Sequence, residues 1–319
     1  MTAYIARRCA HGLLVVVVVT IVVFGLLHSL PGGPARAILG AKANAAEIAS
    51  FSRANDLNKS LPVQYFVWLG KLLRGNLGFS YTQNESVLTL IGQRLPKTLI
   101  LTALSLLVAL LLGVPLGMIQ GARRNRPSDR IVTMLSLTAY SVPIFLVGII
   151  SIWLFAVRWR VLPAQAPQGT SVGDILSDPQ GLILPVLSLG LGSIAVFSRY
   201  MRSATIENLV QDYVRLARAR GASSRRVLLR HVLRNALGPI ATQLGLFLPV
   251  LMAGTVITET VFNYPGMGLL FWNAATSRDY PTELGVVLIV AIATVVGSLL
   301  ADVAYAVLDP RIRYGGPRG

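Results

Sequence analysis

The chain has 319 residues, of which 54% are hydrophobic and 13% are charged, and its formal net charge is +16. Because soluble domains carry roughly 25% charged residues, this composition argues against a soluble globular protein and for one that lies in a membrane. The positive charge alone would also fit a nucleic-acid-binding protein, so the positions of the basic residues have to separate these two classes. Cys9 is the only cysteine, which excludes an intrachain disulfide and a cysteine-cluster metal site.

Six stretches of the chain are long and apolar enough to cross a bilayer. A spanning helix needs ~20 mostly apolar residues, because the hydrocarbon core is about 30 Å thick and each helical residue rises about 1.5 Å. The sequence therefore predicts an all-α membrane protein with six transmembrane helices and both termini on the same side. The stretches are residues 12–30, 98–119, 131–157, 182–201, 236–258 and 284–308.

Residues 1–30 are predicted to form an N-terminal tail and the first transmembrane helix. Arg7 and Arg8 precede the apolar run, and residues 35–37 read Ala-Arg-Ala. This arrangement also fits a cleaved secretory signal. The length of the apolar run favours a helix that is retained as an anchor.

Residues 31–97 are predicted to form an extracytoplasmic cap, and residues 98–319 a core of five helices. Within the cap, Ser60 and Pro62 resemble a helix start, since serine can cap a helix and proline is tolerated in its first turn. The helix that follows is too short to span, so it could lie at the membrane interface or cover the mouth of a pore. Its apolar residues at helical spacing are Val63, Phe66, Val67, Leu69 and Leu73.

The second predicted span carries glycine at every fourth position, at Gly113, Gly117 and Gly121. Since these glycines fall on one helix face, they predict a surface that another helix approaches closely. Prolines inside the spans remove backbone donors and are expected to bend the helices. These prolines are Pro115, Pro143, Pro185 and Pro249.

The basic residues near the span ends indicate the orientation. Lys and Arg are enriched in short cytoplasmic loops, and the short outer loops of this chain hold only Arg158, Arg160 and Arg278. This asymmetry predicts cytoplasmic termini and argues against nucleic acid as a partner. The arginines of the predicted cytoplasmic segments are Arg7, Arg8, Arg123, Arg124, Arg126, Arg130, Arg199, Arg202, Arg215, Arg218, Arg220, Arg225, Arg226, Arg230, Arg234, Arg311, Arg313 and Arg318.

Two outer loops differ in character. The loop at residues 158–181 is rich in proline and glycine and is expected to have little regular structure. The loop before the last span is apolar and aromatic, so it could be a re-entrant plug that lines a pathway, or an interfacial anchor of the kind that aromatic residues form. Its candidate residues are Glu259, Phe262, Tyr264, Pro265, Gly266 and Gly268.

The predicted cytoplasmic loop at residues 202–235 reads as a helix, a tight turn and a second helix. Gly221 is expected to end the first helix, and Ser223 or Ser224 to cap the second, which carries Val227 and Val232. The first helix is predicted to be amphipathic. Its apolar face is predicted to comprise Ile206, Leu209, Val210, Tyr213, Leu216 and Ala217.

Three roles are open to this basic helical pair. A DNA-binding helix-turn-helix would need a domain free of the bilayer, yet predicted spans begin within a few residues on either side. A membrane-surface helix attracted to anionic lipid is a second possibility. A docking element for a cytoplasmic protein is favoured, because a rigid turn between short helices can fit a groove and transmit a push.

The sequence of this loop resembles the coupling loop of bacterial dipeptide and oligopeptide (peptide/nickel) ABC-transporter permeases. Residues 212–223 read DYVRLARARGAS and residues 226–236 read RVLLRHVLRNA. Ala217, Gly221 and Leu233 match the general importer motif. Arg215, Leu216, His231 and Arg234 depart from it in the manner of the peptide branch. Similar segments occur along nearly the whole chain, at residues 74–80 (RGNLGFS), 94–98 (RLPKT), 259–262 (ETVF), 264–268 (YPGMG), 278–281 (RDYP) and 309–314 (DPRIRY).

The resemblance implies a multi-pass permease subunit of an ATP-driven importer in the bacterial cytoplasmic (inner) membrane. It implies a second homologous permease as heterodimer partner, two ATP-binding subunits and an extracytoplasmic solute-binding protein. The chain has no Gly-x-x-x-x-Gly-Lys-Ser/Thr phosphate loop, so ATP and magnesium are expected in the partner subunits, with no cofactor bound by this chain. The resemblance assigns the contact with the ATP-binding subunit to Asp212, Tyr213, Arg215, Ala217, Arg218, Gly221, Ala222 and Arg226.

Other functional classes find less support in the residues. His11, His28 and His231 are scattered and form no His-Glu-x-x-His pair, so an enzyme is not predicted. Asp302 is the one acid well inside a predicted span and could pair with a loop arginine or carry protons. An ion-coupled secondary transporter of small polar solutes is the alternative function, although it would normally need several such groups. No motif encodes the identity of the cargo. Peptides are the favoured class of cargo, with nickel chelates and glutathione as further candidates.

Overall fold

A computed structural model describes residues 2–29, 33–39, 43–80 and 82–308. Two π-helical segments, Ile152–Arg158 and Val227–Val232, continue α-helices. Two short strands of two residues each, β1 (Phe79–Ser80) and β2 (Glu85–Ser86), pair antiparallel as a hairpin. The helices are α1 Thr2–His28, α2 Gly33–Leu39, α3 Ala45–Ala54, α4 Leu61–Leu73, α5 Val87–Ala122, α6 Pro127–Ser141, α7 Ile144–Ser151, α8 Val172–Ser177, α9 Pro179–Leu209, α10 Asp212–Ala219, α11 Ser224–Arg226, α12 Leu233–Val261, α13 Met267–Ser277 and α14 Tyr280–Leu308.

Among the described residues, four helices are long and apolar enough to cross a membrane, which confirms the prediction of an all-α membrane protein. They are Ala6–Leu26 within α1, the whole of α5 and α9, and Tyr280–Leu299 within α14. A fifth span is formed if the bent pair Pro127–Ser141 and Ile144–Arg158 crosses as one. The predicted span 236–258 lies in α12, where the side chains of residues 241–243 and 245–254 are not described.

The predicted span at residues 131–157 is bent at Pro143, as the sequence predicts. The chain breaks between α6 and α7, and the two arms meet at an angle of 101°. Pro143 explains the break, because it has no backbone N–H and its ring disfavours helical geometry in the residue before it. Val142 is accordingly extended, with φ −75° and ψ 127°. By contrast, α9 continues through Pro185.

The outer loop at residues 158–181 is more regular than predicted. It contains α8, and α9 already begins at Pro179, where the Asp178 side chain caps it by accepting from the backbone N–H of Gly181 at 3.2 Å. Three further predictions lie outside the described residues or side chains: the bend at Pro249, the partner of Asp302, and the motif at residues 309–314.

The chain divides into two compact units, and the first comprises Met1–Thr98, Gly169–Val172 and Pro265–Val296. In this unit α4 begins where the sequence predicts, with Pro62 in its first turn, although the Ser60 side chain makes no capping hydrogen bond. The buried Asp279 carboxylate joins the β-hairpin region to the start of α14. It accepts hydrogen bonds from the hydroxyls of Ser80, Thr82 (2.6 Å) and Thr282 (2.8 Å).

The second unit comprises Leu99–Gln168, Gly173–Tyr264 and Gly297–Gly319, and it is built around α9. The three glycines of α5 face α9, as predicted. A Cβ atom at Gly113 would lie 3.0 Å from the Ile194 carbonyl oxygen, and one at Gly117 would collide with the Ser198 carbonyl oxygen. The glycines thus allow the two backbones to approach closely, which is the role that small residues have between helices in lipid.

Candidate functional site

The sequence predicts one continuous amphipathic helix from residue 206 in the loop between α9 and α12. The structure instead shows a break in this helix. α9 ends at Leu209, and Gln211 is the N-cap residue from which α10 starts. The break resets the helical register, so the buried residues of α10 are Val214 and Ala217, whereas the Leu216 side chain is 53% exposed. Val210, at the break itself, is 60% exposed.

The turn after α10 has the geometry that the sequence predicts. Gly221 has φ +79°, in the left-handed region that favours glycine. Its N–H donates to the Arg218 carbonyl oxygen at 2.9 Å, and the N–H of Ala222 donates to the Ala217 carbonyl oxygen at 3.1 Å. This pair of hydrogen bonds is the Schellman motif, which satisfies the last carbonyl groups of a helix.

The second helix of the loop starts at the serine that the sequence allows. Ser223 is the N-cap residue, and its hydroxyl accepts from the backbone N–H of Arg226 at 3.4 Å. α11 then continues through the π-helical segment into α12, with Val227 and Val232 buried. The loop is therefore joined to α12 without an intervening coil.

Helix α10 and the π-helical segment Val227–Val232 pack on the long helices of the second unit. The buried side chains of the loop belong to a single hydrophobic cluster that includes residues of α5, α9 and α12. A displacement of α10 would therefore be transmitted to these helices through packed side chains. The cluster consists of Ala109, Phe197, Met201, Ala204, Val214, Ala217, Val227, Val232, Ala236 and Ile240.

The outward surface of the loop is cationic with interspersed apolar side chains. Asp212 and Arg215 form an exposed ion pair at 3.4 Å, and the Tyr213 hydroxyl donates to the Asn208 side-chain oxygen. Arginine together with exposed aliphatic groups is typical of protein interfaces. The exposed residues of this surface are Val210, Arg215, Leu216, Arg218, Arg220, Arg225, Arg226, Leu229 and Arg230.

A polar network near the same end of α9 was missed by the sequence analysis. Arg202 of α9 donates to both carboxylate oxygens of Asp129 in α6, at 2.7 and 2.8 Å, and the Asn125 N–H donates to Asp129 at 2.9 Å. The Ser198 hydroxyl donates to the Gln120 side-chain oxygen at 2.6 Å. Two elements packed against α9, the end of α5 and the start of α6, are thus fixed to it seven residues before it ends.

The candidate residues of the apolar outer loop lie in the interiors of the two units. Glu259, Phe262 and Tyr264 are buried in the second unit, where the Tyr264 N–H donates to the Glu259 carbonyl oxygen at 2.8 Å. Burial, with a contribution from the Glu259 charge, raises the pKa of the Tyr264 hydroxyl. In the first unit Gly266 is the N-cap residue of α13, and both Pro265 and Gly268 are buried.

These positions give Phe262 and Tyr264 a clear packing role. Both belong to the hydrophobic cluster of the second unit that contains Leu101, Ile175 and Leu182. A role of this loop in lining a transport pathway stays a prediction. Within the described part of the chain, no group of three or more His, Cys, Asp or Glu side chains could hold a metal ion.

Comparison with known protein families gives two matches that together cover most of the chain. Residues 113–314 match the binding-protein-dependent transport system inner membrane component, and residues 1–102 match the N-terminal region of such membrane components. The chain belongs to this family. The loop at residues 202–235 and the outer loop around Tyr264 both fall inside the matched region, so the resemblance read from the sequence is confirmed.

Individual members of this transport family align with the chain from end to end. A Brucella ovis protein that is named as a peptide permease is 39% identical over 98% of this chain and 99% of its own length. The oligopeptide transport system permease protein AppB of Bacillus subtilis is 36% identical, and the glutathione transport system permease protein GsiC of Salmonella typhimurium is 35% identical. Each of these two alignments covers 98% of this chain and 100% of the relative.

Proposed function

We propose that this inner membrane component is the permease subunit of an ABC importer for di- and oligopeptides or similar small solutes. The names of its relatives support the cargo class, because they specify peptides, oligopeptides and glutathione. The proposal includes six transmembrane helices with both termini in the cytoplasm. The arginine-rich loops support this orientation through the positive-inside rule.

The translocation pathway is proposed to lie between this chain and a second, homologous permease. The uneven burial of the spans supports a partner of this kind. Within an apolar stretch of 18 residues in each helix, 72% of the residues are buried in α9. The corresponding share is 28% in α5 and in α14 and 17% in α1. The last three helices therefore expose apolar faces that lipid and a second membrane subunit can cover.

Coupling to ATP is proposed to run through the loop at residues 202–235. The single observation that carries this proposal is a glycine-ended helix, α10, that packs inward through Val214 and Ala217 and presents Leu216 and Arg218 outward. Such an element can bind a groove of an ATP-binding subunit and pass its movement to α9 and α12. ATP and magnesium are bound by that subunit, and cargo is delivered by a solute-binding protein on the opposite side of the membrane.

Replacing Gly221 with valine tests the coupling role. A branched residue at φ +79° is strained by about 1–2 kcal/mol, so we expect about tenfold less ATP-binding subunit to co-purify, and ATP-driven uptake to fall with it. Gly75→Val is the matched control, since Gly75 also has a positive φ and, like Gly221, an open Cβ position, but lies in the cap. Gly221→Asn should restore attachment, because Asn tolerates the left-handed region. Normal attachment and uptake in Gly221→Val would refute the coupling role.

Energy dependence separates this function from the ion-coupled alternative. In proteoliposomes that contain the complete importer and its binding protein, peptide uptake should require ATP and survive an ionophore that collapses ion gradients. Uptake that continues without ATP and stops with the ionophore would instead show a secondary transporter.

A further inference from the structure

The first compact unit contains a cavity of about 480 Å³ that the proposed transport function does not use. Small-molecule sites in proteins are typically about 300–1,000 Å³ and mostly apolar, with few polar groups, and this cavity has that character. Its walls come from the ends of α1 and α14 and from the cap helices α3 and α4. The main apolar side chains are Phe24, Phe51, Val67, Trp68, Tyr280 and Leu284.

The cavity lies beside the ends of two candidate membrane spans. Phe24 is near the end of the membrane-spanning part of α1, which is Ala6–Leu26, and Tyr280 is the first residue of the span in α14. Tyr and Trp side chains are enriched where hydrocarbon meets headgroups. The position of Trp68 and Tyr280 beside two span ends is therefore that of an interfacial site.

Helix α4 has two faces, and both point to lipid. One face, which includes Val67, Trp68 and Lys71, lines the cavity. The other exposes an apolar stripe in which the side chain of Phe66 is 68% exposed and that of Leu73 is 81% exposed. A short helix with such a stripe is stabilised when it lies in the membrane interface. The cavity is then enclosed between α4 and the span ends, within reach of lipid.

The polar part of the described lining includes the Lys71 ammonium group. Lys71 has no carboxylate within ion-pair distance among the residues that the structure describes. The ring nitrogens of His28 both face oxygen atoms, at 2.8 Å from the Phe24 carbonyl and 3.1 Å from the Gln64 side chain. The Gln64 amide group is itself used, because it donates to the carbonyls of Leu57 and Lys59. Among the described residues that line the cavity there is no Asp or Glu.

We propose that this cavity binds an anionic phospholipid, with an acyl chain against Trp68 and Val67 and the phosphate at Lys71. The aromatic and aliphatic walls suit hydrocarbon, and the Lys71 ammonium group suits a phosphate that lies at headgroup depth. A free peptide fits less well, because its ammonium group would find no carboxylate among the described lining residues. The bound lipid would tie the cap to the membrane, and this role does not depend on transport.

A photoreactive lipid tests the proposal in the intact importer. The complete complex is reconstituted in nanodiscs with a phosphatidylglycerol that carries a diazirine on its acyl chain, and the adducts are mapped by mass spectrometry. Adducts are expected on peptides that contain Trp68 and Tyr280. Val67→Trp fills the cavity and should abolish them, whereas Leu73→Trp, in the exposed stripe of the same helix, should retain them. Equal labelling in both variants, with the complex still assembled, would overturn the proposal.

A charge variant tests the headgroup contact without filling the cavity. Lys71→Gln should lower the preference for phosphatidylglycerol over phosphatidylcholine about fivefold, the contribution of one lysine at a membrane surface. Lys59→Gln removes the same charge from a cap lysine that does not line the cavity, and should leave the preference unchanged. An unaltered preference in Lys71→Gln, or displacement of the lipid by excess di- or tripeptide, would contradict the proposal; displacement would show a cargo site.

Discussion

Helices α9 and α1 are both apolar enough to span a membrane, yet they have opposite surroundings. α9 is largely buried by its own chain, and its buried face is rich in small residues such as Ser188, Gly190 and Ser193. α1 exposes large aliphatic side chains, among them Leu14 and Val18. Helices in lipid associate through close packing and hydrogen bonds rather than through the exclusion of water. Small and polar residues therefore identify α9 as the helix that the chain itself buries, whereas hydropathy alone does not distinguish it from α1.

The polar end of α9 provides the strongest test of this comparison. The Asp129 side chain is 3% exposed and its partner Arg202 27% exposed. Asp129→Asn should destabilise the protein by about 3 kcal/mol, the low end of the cost of removing one partner of a buried ion pair, because Arg202 is partly exposed. Thermal unfolding of the detergent-purified complex, followed by size-exclusion chromatography, measures the loss.

An exposed ion pair serves as the control for that variant. Asp56→Asn breaks the pair of Asp56 with Lys59 in the cap, where both side chains are partly exposed. Such pairs contribute about 0–1 kcal/mol, so this variant should unfold close to the wild type. If both variants unfolded alike, the Asp129–Arg202 contact would not be what fixes α6 to α9.

A matched pair of leucines compares the two helices directly. Leu184 of α9 is 2% exposed and Leu14 of α1 is 59% exposed. In lipid the cost of truncation comes from lost packing rather than from transfer to water, so Leu184→Ala should cost about 2–3 kcal/mol, the low end for buried leucine. Leu14→Ala should change the unfolding temperature little, because lipid fills the space. A large loss in Leu14→Ala would mean that α1 packs against another protein subunit rather than lipid.

The sequence predicts the features of this fold that depend on neighbouring residues. The apolar stretches at residues 98–119, 182–201 and 284–308 lie within observed helices, and the described part of the stretch at 12–30 is helical up to His28, because hydropathy is a local property. The turn at Gly221 and a cap at Ser223 or Ser224 were predicted for the same reason, since the backbone geometry of a turn is set by its own residues; the observed cap is Ser223.

Features that depend on register or on distant contacts were missed. The buried face of α10 was misassigned because the break before Asp212 shifts the helical register, so Val214 points inward and Leu216 outward. The pairing of Asp129 with Arg202 joins residues 73 positions apart, and no local pattern links them. The interior position of Tyr264 was likewise outside the reach of local patterns, because an apolar loop reads the same whether protein or lipid covers it.

The glycines of α5 give the smallest and most specific test of close packing around α9. Gly117→Ala places a methyl group against the Ser198 carbonyl oxygen and the Met201 side chain, so the helices must separate. Such overpacking costs about 1–3 kcal/mol of stability. We expect a cost in the lower half of this range, because α5 can shift as a whole. Gly25→Ala on α1, where nothing lies within 4 Å of the added carbon, should be neutral or slightly stabilising, because alanine favours the helix. Equal unfolding temperatures for the two variants would show that α5 and α9 are not held at the distance that only glycine permits.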